Sequence, residues 1–336
     1  MKKRLLFVID SEEWTLGHIA QYLKDNLSST FDIDIVTLSM FNDNIVKVFI
    51  LSKEYDLTHF LWRGQLLWLD DQNSRDYINT IGFEYDRFID EYVTHNNITT
   101  TICDHLYLTD REIDNTKYII NLVDSYIVTS NKLYGIYSDL FSDNKPYAVI
   151  HDGVDTNRFN LKNKKKHSGF IIGWAGNSKF TDSENDDDLK GVNLVIKPAI
   201  KELIKDGYDI SINIADKNTN FIPYDKMPEY YGGLDLYICA SKTEGTPAPI
   251  LESMATGIPV VSTDVGIVSE AFGSNEKEFI LKERTKQCMK DAIIKMYNMR
   301  DKSNIINENI SIMKKWDWKK ISKQYKEFFE HNLRNK

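Results

Sequence analysis

The residues best suited to chemistry sit in one stretch, Ser241-Lys-Thr-Glu-Gly-Thr-Pro-Ala-Pro-Ile-Leu-Glu-Ser-Met-Ala-Thr-Gly257. Two carboxylates, Glu244 and Glu252, stand in it with seven residues between them. The first falls in a turn rich in Gly, Thr and Pro. The second falls inside a helical pattern whose apolar face is Ile250, Leu251, Met254 and Ala255. Pro249 suits the first helical turn, where its missing N–H has no intrahelical partner to lose. Gly257 fits the left-handed stop after the end. Ahead of the turn, the alternation of Leu234, Leu236, Ile238 and Ala240 reads as a buried strand. A strand that feeds a glycine turn into a helix aims backbone N–H groups and the positive helix end at one point, a ready anion site. Gly245 and Thr246 offer N–H groups there, and Pro247 cannot. Two acceptor-only carboxylates beside an anion site suit a phosphorylated ligand rich in hydroxyls. Stabilisation by the helix dipole would explain Glu244, but not Glu252 a turn inside the helix.

The elements that must hold this stretch alternate along the chain. Residues 4–9 are an apolar run ending at Asp10, and Leu16, Ile19, Leu23 and Leu27 follow at helical spacing. Ile33, Ile35 and Thr37 alternate as a second strand, and Leu57 to Trp62 reads as a third, ending at Arg63-Gly64. A long helical pattern runs from Tyr77 to Tyr92. Strands at 98–103, 125–129 and 147–150 are then separated by helices near 113–122 and 131–140. The second half repeats the grammar, with strands at Phe170–Trp174, Ile210–Ile214, Pro259–Ser262 and Glu278–Leu281. Between the first two of these, Lys190-Gly191 opens a helix in which Pro198 predicts a kink or a split. Strands alternating with helices imply parallel sheets wound on both faces.

Such sheets bind ligands beyond the carboxyl ends of their strands, at a topological switch point. In the first half that rule marks Asp10 to His18, Arg63-Gly64 and Asp104-His105. Trp14, Gly17, His18 and Arg63 are the weaker candidates among them. The first turn carries a single glycine, Gly17, and no G-x-G-x-x-G, so a dinucleotide pyrophosphate is not expected there.

Composition sets the outer bounds. The chain has 336 residues, 42% of them hydrophobic and 27% charged, which suits two globular domains. A net charge of −8 argues against a general nucleic-acid binder. The basic run Lys164–Lys166 reads instead as a solvated linker. Cys103, Cys239 and Cys288 lack metal-ligand spacing and read as reduced core or near-core residues. Met1-Lys-Lys-Arg4 resembles the start of a signal peptide, but the apolar run stops at Asp10, short of the ~7–15 residues of an h-region. No window approaches the ~18 apolar residues of a membrane span, so the expected location is cytoplasmic, with the inner membrane face as a site of peripheral contact. The acidic run at 182–188 is read as a solvated face, and no metal is expected. The aromatic stripe Trp316, Trp318, Ile321, Tyr325, Phe328 and Phe329 reads as core packing of a last helix.

The motif E-G-T-P-A-P-I-L-E, with A-T-G-I-P-V-V-S-T-D-V-G after it, resembles the Glu-x(7)-Glu signature of family 4 of the retaining, GT-B-type nucleotide-sugar glycosyltransferases. The match in order and spacing runs from Leu234 to Glu270. His151-Asp-Gly-Val-Asp-Thr-Asn-Arg-Phe159 resembles the N-G-V-D-x-x-x-F segment that closes the family's N-terminal lobe, with Asp152 in the usual Asn position. The resemblance implies a GT-B fold: two Rossmann-like, doubly wound parallel-sheet domains facing a cleft. Residues 1–160 would form the acceptor-side domain and 161–169 a linker. Residues 170–315 would form the donor domain, and 316–336 a helix packing back on the first.

It also implies roles. Glu252 would accept hydrogen bonds from ribose hydroxyls and Glu244 would face the donor sugar. The remaining donor-binding residues would be Gly176, Asn177, Lys179, Lys190, Gly245, Thr246 and Ile250. Lys190 matches the second basic residue of the family's G-R-L-x(3)-K-G stretch. Asn177 occupies the Arg position, which makes Lys179 the candidate replacement. A lysine at a helix start sits badly beside the positive dipole end, so a bound anion would give Lys190 a reason. Family members place a His-Asp pair near Asp104-His105, here in inverted order, so either His105 or Asp104 would approach the donor sugar. The implied activity is transfer of a sugar from a nucleoside diphosphate donor, UDP among the candidates, to a carbohydrate or glycoconjugate hydroxyl. Synthesis of a bacterial surface polysaccharide or glycoconjugate is the expected context. The co-substrate is the nucleotide sugar, without metal or other cofactor. A nucleotide-sugar epimerase of the same fold and a non-catalytic partner-binding subunit are the alternatives.

Overall fold

The computed structural model describes residues 2–104, 109–179 and 188–334, in two compact units. The first comprises Met1–Asp152 and Trp318–Lys336, the second Gly153–Asp317.

In the first unit five strands, β1 (Lys3–Ile9), β2 (Phe31–Thr37), β3 (Leu57–Phe60), β4 (Ile98–Ile102) and β5 (Ser125–Val128), form a parallel sheet in the order β2-β1-β3-β4-β5. The interior strand β1, between β2 and β3, is apolar throughout its buried part because both of its faces are covered. The helix Trp318–Arg334 supplies part of one face: Trp318, Ile321, Tyr325, Phe328 and Phe329 pack with Leu5, Phe7 and Ile9. The same aromatics frame His59, which is wholly buried between the hydroxyls of Thr99 and Thr101, each 3.0 Å away. Burial pushes its pKa down to about 3 and keeps the ring neutral.

Two sequence expectations fail in this unit. The pattern from Tyr77 to Tyr92 is not one helix but Gln72–Thr80, Tyr85–Ile89 and a π-turn at Asp90–Thr94. Gly82, at φ +87°, turns the chain between the first two. The stretch 147–150 runs along β5, the Tyr147 and Ile150 N–H groups donating to the Tyr126 and Val128 carbonyls, but it is a single bridge, Val149 to Val128, and not a regular strand.

In the second unit β6 (Phe170–Gly176), β7 (Ile210–Asp216), β8 (Leu236–Cys239), β9 (Val260–Thr263) and β10 (Ile280–Leu281) form a parallel sheet in the order β10-β9-β8-β6-β7. The chain moves outward one way from β6 to β7 and then the other way from β8 to β10. The switch point therefore lies between the carboxyl ends of β6 and β8. Residues 161–169, expected as a linker, lie inside this unit, and the division falls earlier, at Asp152/Gly153. The Lys165 N–H donates to the Gly232 carbonyl at 2.8 Å, and the Lys164 ammonium donates to the Leu234 carbonyl. The helix opened by Lys190-Gly191 is split, with a π-turn at Val192–Ile196 followed by the α-helix Lys197–Lys205. Pro198 in the first turn of the α-helix has no N–H to give to a preceding carbonyl, and the wider π-turn precedes it.

Candidate functional site

Residues from the carboxyl ends of β6 and β8 meet at the switch point of the second unit. The turn after β8 begins at Ser241 and runs to Pro247, and the helix Ala248–Ala255 follows. Ile250 is fully buried on that helix and anchors its apolar face in the core. Gly245 is buried under the loop that follows β9. A Cβ on Gly266, at φ +50°, would stand 1.7 Å from the Gly245 carbonyl oxygen, so the two loops touch backbone to backbone. The Thr246 hydroxyl is buried there without a hydrogen-bond partner among the described residues.

Lys190 and Glu244 come together across the switch point. The lysine ammonium pairs with Glu244 Oε1 at 2.5 Å, and both side chains are mostly buried. The Ser241 hydroxyl donates to the same oxygen at 2.7 Å. The turn that carries Lys190 lies tightly on the end of β8. Gly191 has φ +71°, and a Cβ there would stand 2.4 Å from the Ala240 carbonyl oxygen. The Lys242 N–H donates to the Leu189 carbonyl at 2.8 Å and joins the two segments.

One sequence argument about this turn is corrected. A bound anion is not needed to explain a lysine at this helix start, because the chain supplies the negative charge itself. Asp188, 5% exposed, accepts from the N–H groups of Val192, Asn193 and Leu194 at 3.0, 2.8 and 2.6 Å. It caps the first turn fully, and Glu244 faces Lys190. Asp188 also departs from the reading of the acidic run as a solvated face. The other acidic residues of that run, 182 to 187, lie outside the described residues.

Glu252 sits apart from this pair. It is 8% exposed, its Oε2 accepts from the Tyr231 hydroxyl at 2.7 Å, and Tyr224 donates to it as well. Burial raises its carboxyl pKa to about 7, against the opposing effects of the two tyrosines and Arg158. Neither tyrosine was marked by the sequence, because nothing in the local pattern of 224–231 points at a residue over twenty positions on.

Gly176 ends β6 and leads into Asn177-Ser178-Lys179. Asn177 acts as a brace, its Oδ1 accepting from the Lys179 N–H at 3.1 Å and from Asn218 Nδ2 at 2.7 Å. Beneath it Asp216 accepts from the Ser178 N–H and hydroxyl at 3.1 and 2.7 Å. Burial alone would raise the pKa of Asp216, but hydrogen bonds from Ser178, Asn218 and Thr219 hold it below the usual carboxylate value. Lys179 is exposed on this braced turn.

In the first unit Arg63 and Asp104 are brought together. Arg63 Nη2 lies 2.8 Å from Asp104 Oδ1, with 11% and 17% of the side chains exposed, and the Tyr137 hydroxyl donates to the Asp104 carbonyl at 3.1 Å. Arg63 Nη1 is buried and has no hydrogen-bond partner among the described residues. His105 lies outside the described residues. Trp14 is half exposed ahead of the helix Thr15–Leu27. A Cβ on Gly17 would come within 2.3 Å of the Glu12 carbonyl oxygen, so the loop after β1 folds down onto that helix. Gly17 and His18 line an open groove of about 390 Å³ with Glu12, Gln21 and Lys24. All three cysteines are free, and burial pushes the thiols of Cys103 and Cys239 up. Among the described residues there is no group of three or more His, Cys, Asp or Glu side chains that could hold a metal ion.

Comparison with known proteins places this arrangement. Residues 190–312 match the family described as Glycosyl transferases group 1, a span that includes Lys190, Glu244 and Glu252. The lipopolysaccharide core biosynthesis mannosyltransferase LpsB of Rhizobium meliloti is 30% identical over 210 residues, 53% of this chain and 56% of that protein. Protein CapJ of Staphylococcus aureus is 27% identical over 234 residues, 61% of this chain and 54% of CapJ. The chain thus spans little more than half the length of these two relatives. Among solved structures, Anabaena HepE in complex with UDP and glucose superposes with a TM-score of 0.68 at 15% identity, covering 98% of this chain and 99% of that one. Sucrose-phosphate synthase from Thermosynechococcus elongatus superposes with a TM-score of 0.70 at 12% identity over the whole of both chains. The fold is therefore that of the GT-B glycosyltransferases, with two parallel five-stranded sheets flanked by helices. The chain is similar in sequence to bacterial glycosyltransferases.

Proposed function

We propose that this protein is a retaining glycosyltransferase that moves a sugar from a nucleoside diphosphate donor to the hydroxyl of a carbohydrate or glycoconjugate acceptor. The observation that carries the reading is the switch point of the second unit, where Lys190 and Glu244 meet beside a helix that buries Glu252. Glu252 receives the ribose hydroxyls, and its two tyrosine neighbours fix the carboxyl plane before the ligand arrives. Lys190 provides a compact positive charge for the diphosphate. In the free chain that charge is already neutralised by Glu244, so donor binding exchanges one anion for another. The released Glu244 carboxylate is then free to accept from the sugar hydroxyls, still oriented by Ser241.

Catalysis in this reading is electrostatic. The bond from the anomeric carbon to the diphosphate breaks as the acceptor oxygen bonds to that carbon from the same face and gives its proton to the departing phosphate oxygen, and Lys190 and the N–H groups at the turn 245–248 stabilise the departing charge. Retention follows from a front-face displacement, and no protein nucleophile is assigned. UDP is the first base to test, since HepE has been solved with UDP. LpsB and the teichuronic acid biosynthesis protein TuaC of Bacillus subtilis, 33% identical over 75 residues, point to surface polysaccharides as the setting.

Calorimetry with UDP and GDP tests the nucleotide assignment. Glu252→Ala removes a charged acceptor of ribose hydroxyls, worth about 1.5–3 kcal/mol, so affinity should fall by about tenfold or more. Unchanged binding of the nucleotide that wild type prefers would sink the assignment.

A further inference from the structure

We propose that Arg284 is a positioning residue for the donor site, acting by clamping the turn that carries Lys190 onto the end of β8. The inference rests on the donor-site reading given above. Arg284 follows β10 and reaches back over the sheet edge to the switch point. Its Nε donates to the Ala240 carbonyl at 2.7 Å, and its Nη2 donates to the Asp188 carbonyl. Those two carbonyls belong to the two segments whose meeting defines the site. Ala240 precedes Ser241 and the Glu244 turn, and Asp188 opens the turn of Lys190.

Other ties join the segments. Between them run the Lys242 N–H to the Leu189 carbonyl and the Lys190–Glu244 pair itself. Gly191 is pressed onto Ala240, so any lift of the 188–191 turn moves the lysine ammonium away from the glutamate. The turn is also under backbone strain, because Asp188 takes φ +47°, a conformation costly for a residue with a Cβ. Something must hold it down. A guanidinium is suited to the task because its fixed fork satisfies two carbonyls at once, whereas an ammonium on a flexible stem satisfies them without fixing their separation. Once a diphosphate takes Lys190 from Glu244, that pair no longer bridges the segments, and Arg284 still does.

The test compares Arg284→Met and Arg284→Lys with wild type, using UDP, GDP and ADP titrated by calorimetry and carrying forward the tightest binder. Both variants should weaken that nucleotide by about tenfold. In a Lys190→Met background, Arg284→Met should cost twofold or less, because a residue that acts through Lys190 has nothing left to position. A purely structural arginine would cost the same factor in both backgrounds, and that result overturns the proposal. So does Arg284→Met binding within twofold of wild type while Glu252→Ala has lost binding.

Residue-resolved hydrogen exchange supplies the arm that needs no ligand. In Arg284→Met the amides of Lys242, Val192, Asn193 and Leu194 should exchange faster, with the helix Ala248–Ala255 unchanged. Unchanged exchange at those amides also overturns the clamp. If no nucleotide binds wild type, the donor reading fails and the exchange experiment alone decides whether Arg284 holds the turn. Should Arg284→Met not fold, Arg284→Lys carries the same comparisons.

Discussion

At the scale of single residues, Glu252 joins burial to function through its proton. An unfolded chain releases this proton near the ordinary glutamate value of 4.5, and the folded chain holds it up to about pH 7 because the carboxyl is buried. The folded state therefore binds the extra proton between those two values. Stability falls as pH rises from about 4.5 to about 7 and is level above that. Glu252→Gln removes the titrating group, so the melting temperature of the variant relative to wild type should climb across that window. An identical difference at pH 5 and pH 8 would contradict the burial argument. A carboxylate that accepts ribose hydroxyls must be ionised, so nucleotide affinity in wild type should rise with pH through about 7. Binding near neutral pH should release protons, which calorimetry in buffers of different ionisation enthalpy reads directly.

The pair Glu244 and Glu252 was legible in the sequence because a turn followed by a helix fixes both positions locally. Asp188, Tyr231 and Arg284 were not. Asp188 looked like one more charge in an acidic run, and its three N–H donors lie in a turn whose π geometry no pattern announced. Tyr231 and Arg284 act on residues 21 and 96 positions away, contacts that exist only once the sheet has closed.

At the scale of elements, strand alternation placed all ten strands of the two sheets to within a few residues. The shortest, β10, has only two residues, and the stretch expected there as Glu278–Leu281 begins as a 3-10 turn at Lys277–Phe279. Helical periodicity was less reliable. The apolar spacing from Tyr77 to Tyr92 survives in the core, where Ile78 and Phe88 are buried and Ile81, Tyr85 and Ile89 pack against the same cluster, yet Gly82 interrupts the backbone between them. Periodicity reports which side chains face inward, and it is silent on a turn that preserves the facing. The 188–191 turn shows how little room such connections have. Gly191→Ala would place a methyl 2.4 Å from the Ala240 carbonyl oxygen and force a positive φ on a residue with a Cβ. Strain and clash together should cost about 1–3 kcal/mol, seen as a lower melting temperature. Nucleotide affinity should fall with it, as the turn carrying Lys190 lifts. By contrast Gly207→Ala meets no atom within 4 Å and carries only the conformational cost of φ +92°, so it should lower the melting temperature while leaving nucleotide affinity as in wild type. Equal affinity losses in the two variants would show that the close approach at Gly191 is not what holds the site.

At the scale of the whole molecule, the two units differ in how the chain builds them. The second is one continuous segment, Gly153–Asp317, and the first is completed only by the return of the chain at Trp318. The last helix fills one face of the first sheet with Trp318, Ile321, Tyr325, Phe328 and Phe329, all nearly or wholly buried. Truncating a buried aromatic typically costs about 3–5 kcal/mol and a buried isoleucine about 2–5 kcal/mol, so losing these four aromatics and Ile321 together is on the order of, or more than, the ~5–15 kcal/mol that holds a domain folded. A chain ending at Asp317 should therefore lose the first unit and keep the second. The junction supports this, since Val154 bridges to Asp317 and the Thr156 N–H donates to the Asp317 carboxylate, so both ends of the second unit are tied together within it. The segment 153–317 also contains Lys179, Lys190, Glu244, Glu252 and Arg284, the whole of the proposed donor site. Expressed alone, it should fold, melt cooperatively and bind the nucleoside diphosphate within a few fold of the full chain, while transferring no sugar. If the segment folds but its affinity falls by a hundredfold, the proposal that residues 153–317 hold the whole donor site fails.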